Sequence, residues 1–116
     1  MARPLITLAL TLGLAACGGE GSGRTTLHLA TDPEGALTFD KNSLEAPAGE
    51  VTIELTNEAP IPHDVSLEGN GVEESSPTAI TSTASLMVEL EAGTYTFFCS
   101  VANHREAGME GTLTIE

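Results

Sequence analysis

From Val51 to Asn57 the chain reads VTIELTN, in which Val51, Ile53 and Leu55 alternate with Thr52, Glu54 and Thr56. A period of two places the apolar residues on one face of a strand and the polar ones on the other, so one face is buried and the other wet. The alternation returns in HDVSLE (63–68) through Val65 and Leu67, and in SLMVELE (85–91) through Leu86, Val88 and Leu90, which leaves Met87 for an outer face. LHLA (27–30), LTF (37–39), TYTFFC (94–99) and GTLTIE (111–116) are further strand-like runs. Phe97 and Phe98 point to opposite faces of theirs, one to the core and one outward. Asp40-Lys41-Asn42, Pro47-Ala48-Gly49-Glu50 and Ala92-Gly93 are turn signals. The polar stretch GNGVEESSPTAITST (69–83) reads as a loop, and helical periodicity is hard to find beyond residue 24. About seven short strands without an internal repeat predict one all-β domain over residues 25–116, a Greek-key β-sandwich.

The stretch FFCSVANHREAGMEGTL (97–113) sets Cys99, His104 and Met109 at intervals of five residues, between two of these strands. His63 opens another strand behind Pro60-Ile61-Pro62, whose prolines stiffen its approach. Strand ends at one pole of a sandwich can bring His63 beside the 99–109 loop. Two imidazoles, a thiolate and a thioether suit copper: thiolate is soft, imidazole serves both oxidation states, and a weak thioether completes a trigonal His₂Cys site. Zinc accepts His and Cys but has little use for Met. Iron–sulfur clusters require more than the two cysteines this chain carries. His28, outside the pattern, reads as structural or exposed, and Met87 as packing.

His63 together with Cys99-x4-His104-x4-Met109 in AGTYTFFCSVANHREAGMEGTLTI resembles the blue-copper cupredoxins, plastocyanin and azurin among them, over about residues 25–116. The resemblance implies one type 1 copper, with His63, Cys99 and His104 as equatorial ligands and Met109 as the axial one. Gly93-Thr94-Tyr95 also matches the family's turn before the cysteine strand. Four residues separate Cys99 from His104, as in azurin, and four precede the methionine, as in plastocyanin, so the chain fits neither subgroup cleanly. Asp64 follows the first histidine where those relatives carry asparagine. In the family that residue ties the two ligand segments together and its backbone N–H helps hold the cysteine sulfur. Asp64 is therefore expected to bond Ser100, and a carboxylate charge near copper to favour Cu(II) and lower the potential. The resemblance further implies an apolar docking collar around the second histidine, formed here by Ile61, Pro62, Val101, Ala102 and Ala107. With all four positions filled by protein, it implies electron transfer between redox proteins, such as a cytochrome or a membrane electron-transfer complex, rather than catalysis. The alternative is copper storage or delivery, although no exposed Met- or His-rich tract is present.

The other cysteine lies in MARPLITLALTLGLAAC, where Arg3 precedes an apolar run from Leu5 to Ala16 too short for a permanent span. Leu14-Ala15-Ala16-Cys17 resembles the bacterial lipobox, which implies a signal over residues 1–16 and acylation of Cys17. Residues 17–24, including Gly18-Gly19-Glu20-Gly21-Ser22-Gly23, follow as a flexible tether. Loss of residues 1–16 leaves three basic residues against 17 acidic ones, a net charge of −14. That excess disfavours nucleic acid and suits a soluble surface or a basic partner. With Cys17 lipidated, Cys99 has no disulfide partner in the domain, and a metal-ligand role explains a lone thiol in an oxidising compartment. The expectation is a monomeric, lipid-anchored protein outside the cytoplasm of a bacterium.

Overall fold

The structure, a computed structural model, describes residues 23–116; the expected signal over residues 1–16, Cys17 and the expected tether up to residue 22 lie outside the described residues. Eight strands follow in order: β1 (Arg24–Ala30), β2 (Ser43–Ala46), β3 (Gly49–Asn57), β4 (Ser66–Gly69), β5 (Val72–Ser75), β6 (Ser82–Leu90), β7 (Gly93–Phe98) and β8 (Glu110–Ile115). They form two sheets, β1-β3-β6 and β2-β8-β7-β4-β5, and no helix occurs among the described residues. The pairs β1–β3 and β2–β8 are parallel and the others antiparallel. This all-β sandwich is the architecture expected from the alternating pattern.

The alternation works as the sequence predicts in β3, where Val51, Ile53 and Leu55 are all fully buried. They meet Leu86 and Leu90 of β6, Leu67 of β4, Tyr95 and Phe97 of β7, and Leu113 and Ile115 of β8 in one core. Each such side chain contributes roughly 1.5–3 kcal/mol by leaving water. The Tyr95 hydroxyl donates to the Glu91 carbonyl at 2.8 Å, anchoring the β6–β7 turn with the one polar group of a buried ring. Gly111 is required by a close approach: a Cβ there would collide with the Phe97 ring and the Asn42 carbonyl.

Three local expectations need correction. The run 69–83 is not a loop throughout. Asn70 and Gly71 both take positive φ, 47° and 81°, and turn β4 into β5 as a two-residue hairpin. LTF (37–39) makes only an isolated bridge, Thr31 with Phe39, because it is too short to pair further; Phe39 instead packs against Phe97 with ring centroids 5.6 Å apart. β4 starts at Ser66 rather than His63, since residues 63–65 are held by side chains and a single bridge to Ala79.

Candidate metal centre

β7 ends at Phe98, so Cys99 emerges from the buried end of a central strand and is itself fully buried. Its N–H donates to the Met109 carbonyl at 3.1 Å, and the Met109 N–H donates to the His104 carbonyl at 3.1 Å. The chain between them is a series of turns: His104 N–H to Val101 carbonyl at 3.0 Å, Ala107 to Asn103 at 3.2 Å and Gly108 to Arg105 at 3.0 Å. Ala102 takes φ of 44°, a left-handed conformation that disfavours any residue with a Cβ. These bonds fold the loop back so that His104 faces the cysteine from which it departs.

His63 arrives from the other sheet connection and is fully buried. Its Nδ1 lies 3.9 Å from Cys99 Sγ, and His104 Nδ1 lies 3.6 Å from the same sulfur. The imidazole centroids are 5.0 Å apart, and the ligand atoms of all three residues fall within 4.8 Å of one another. Met109 is also fully buried, its backbone bonded to both other members of the loop. His104 is 8% exposed, so one edge of the cluster touches solvent.

Burial favours the neutral forms of Cys99 and His63 in the metal-free protein. Burial pushes the Cys99 thiol up, against backbone N–H groups of Asp64 and Val101 that pull it down. Burial also pushes the His63 imidazole down, with the neighbouring His104 acting in the same direction and Asp64 opposing them. A buried soft sulfur flanked by two converging imidazole nitrogens is a donor set that fits copper.

Asp64 bonds Ser100 as the sequence suggested. Its Oδ1 accepts from the Ser100 N–H at 2.7 Å, and its Oδ2 accepts from the Ser100 hydroxyl. Asp64 thus cross-links the segment carrying His63 to the one carrying Cys99. Arg105 is a second tie that sequence reasoning did not single out. Its guanidinium lies 4.0 Å from the Phe98 ring centroid, 2.5 Å from Glu68 on β4 and 3.0 Å from Glu110 on β8. Nothing local in the sequence announces this clamp, because its three partners come from three strands. Of the proposed collar, Ile61, Pro62 and Val101 are half-buried, and Ala102 and Ala107 are exposed. His28 is exposed 3.8 Å from Glu54, and Met87 faces solvent, so neither joins the cluster.

The sequence profile of copper binding proteins of the plastocyanin/azurin family matches residues 27–116, which contain the whole cluster. The chain belongs to that family. Its cofactor is copper, consistent with one type 1 centre per chain. Among solved structures, the cupredoxin domain is similar to auracyanin A, a blue copper protein of the green thermophilic photosynthetic bacterium Chloroflexus aurantiacus. The identity is 23%, the TM-score 0.70, and the alignment covers 81% of this chain and 100% of that one. It is also similar to the dithionite-reduced auracyanin of the photosynthetic bacterium Roseiflexus castenholzii, at 20% identity and a TM-score of 0.66 over 79% of this chain and 97% of that one. A mutant amicyanin superposes at 18% identity and a TM-score of 0.58, covering 78% and 81% of the two chains. These likenesses establish the shared fold. No curated protein matches the chain significantly.

Proposed function

We propose that this cupredoxin carries single electrons between redox proteins outside the cytoplasm, held at a bacterial membrane by lipid on Cys17. The observation that carries the electron-transfer reading is the buried convergence of His63, Cys99 and His104, whose ligand atoms lie within 4.8 Å of one another. His63, Cys99 and His104 would hold the metal, with the Met109 thioether as a fourth donor. Copper, when bound, supplies a one-electron Cu(II)/Cu(I) couple. A thiol such as Cys99 would have to be deprotonated to serve as a ligand, so metal uptake would be coupled to proton release.

The protein keeps the donors still. Backbone bonds join Cys99 to Met109 and Met109 to His104, while Asp64 joins the His63 segment to Ser100. Ligands fixed in this way move little when the charge on the centre changes, which favours fast transfer. A site whose donors are buried and all supplied by the chain leaves no position for a substrate, so we assign no enzymatic reaction. The 8%-exposed edge of His104 is the point of electron entry and exit, and Ile61, Pro62, Val101, Ala102 and Ala107 form the apolar surface on which a partner settles. A cytochrome or a membrane electron-transfer complex is the class of partner that such a surface and a net charge of −13 for the full chain would suit, the acidic surface steering a basic face. The protein acts as a monomer.

Voltammetry of the copper-loaded protein separates a carrier from a copper store. A reversible one-electron wave, with copper retained against a chelator in both oxidation states, is expected. Release of the metal on reduction would favour delivery. Membrane fractionation of Cys17→Ala tests the anchor: the variant should leave the membrane fraction, and its retention there would reject the lipid assignment.

A further inference from the structure

Asn57 ends β3 and is 1% exposed. Its Oδ1 accepts from the Thr31 hydroxyl at 2.8 Å and from the Ala59 N–H at 3.0 Å. Its Nδ2 donates to the Ile61 carbonyl at 2.7 Å and to the Ala79 carbonyl at 2.8 Å. Those bonds use the full capacity of a primary amide, and the two carbonyl partners dictate which end carries the nitrogen. Ala79 is in turn the residue from which His63 hangs. The His63 N–H donates to the Ala79 carbonyl at 3.0 Å, and the Ala79 N–H donates to the His63 carbonyl at 2.8 Å. One carbonyl, that of Ala79, therefore receives both Asn57 and His63.

This arrangement matters because no strand ladder reaches His63: β3 stops at Asn57 and β4 begins at Ser66. The imidazole itself lacks a second anchor, since its buried Nε2 finds no hydrogen-bond partner among the described residues. The ring must therefore be located by its backbone: on the far side Asp64 bonds Ser100 and Val65 bonds Ser76, while the approach from β3 is held by the Asn57 amide through Ala59, Ile61 and Ala79. We infer that Asn57 is a positioning residue of the centre, holding the approach to His63 and so setting where the imidazole stands relative to Cys99 and His104. The inference rests on the reading of His63 as a copper ligand only for its effect on the loaded protein.

The test compares Asn57→Ala with Val51→Ala, a core truncation elsewhere on β3, in the full chain. In metal-free Asn57→Ala, amide exchange at His63 and Ala79 should accelerate about tenfold or more, as local opening follows loss of a buried partner. The nuclear Overhauser contact between the His63 and His104 rings should weaken, while exchange at Tyr95 and Leu113 stays slow. In the copper-loaded variant the narrow hyperfine splitting should widen. Val51→Ala should lower the melting temperature without moving any of these signals. Exchange, ring contact and hyperfine splitting in Asn57→Ala that change no more than in Val51→Ala would overturn the inference. If Asn57→Ala does not fold, Asn57→Asp keeps the shape and the Thr31 and Ala59 contacts, sets acceptor against acceptor at Ile61 and Ala79, and is judged by the same signals. The metal-free signals separate the two claims. Their expected response in a protein that never turns blue would reject the copper reading and support the positioning role.

Discussion

Among the described residues, two regions gather side chains of metal-binding types, and the donors of only one converge. At the pole beyond β7, His63, Cys99 and His104 converge in a buried space, their directions fixed by backbone bonds and by the Asp64–Ser100 link. Along the seam between β5 and β6, Glu73, Glu74, Met87 and Glu89 line an open groove of about 470 Å³ together with Gly71, Val72 and Val88. The groove holds three carboxylates and a thioether, yet Met87 is 65% exposed and, among the described residues, the carboxylates form no converging ligand group. Donor chemistry is present in both places. What the pole adds is convergence of two separate segments, the 99–109 loop and the approach to β4, and exclusion of water, which strengthens each interaction inside it.

Cys99→Ser breaks the convergent region most severely: the thiolate-to-copper transition should vanish, as an optical spectrum of the loaded protein would record. An unchanged blue band would remove Cys99 from the ligand set. Gly111→Ala attacks the packing behind the centre, forcing a methyl group against the Phe97 ring and the Asn42 carbonyl. It should cost about 1–3 kcal/mol in denaturant unfolding, the usual penalty for overpacking. Asp64→Asn removes a formal negative charge from the link between the two ligand segments while preserving its shape. The reduction potential should rise, by about 59 mV for each tenfold loss in the preference for Cu(II) over Cu(I); a fall would reject the electrostatic argument. Met87→Ala in the groove sharpens the contrast from the other side. It should change stability by no more than about 0.5 kcal/mol and leave spectrum and potential as they were.

Legibility in the sequence followed the range of the interactions. Strict alternation in VTIELTN placed β3 and its buried face correctly, because the core decides that pattern locally. The spacing of Cys99, His104 and Met109 was readable for a similar reason: one loop between paired strands carries all three. The Asn70-Gly71 hairpin was present as a local signal, but Glu73, Glu74 and Ser75 made its second strand look like loop. β2, with only Leu44 and Ala46 turned inward, was too short to stand out, and it forms because β8 supplies a parallel neighbour. Asn57 and Arg105 were hidden by distance: their partners at Thr31 and Ala79, or at Glu68, are brought to them only by the folded sheets.

The most direct test of the central claim is an optical and EPR titration of the protein with Cu(II). One equivalent should produce an intense blue band and narrow copper hyperfine splitting, the signature of a thiolate and two imidazoles held by the protein. A colourless complex with ordinary, wide hyperfine splitting at one equivalent would contradict it.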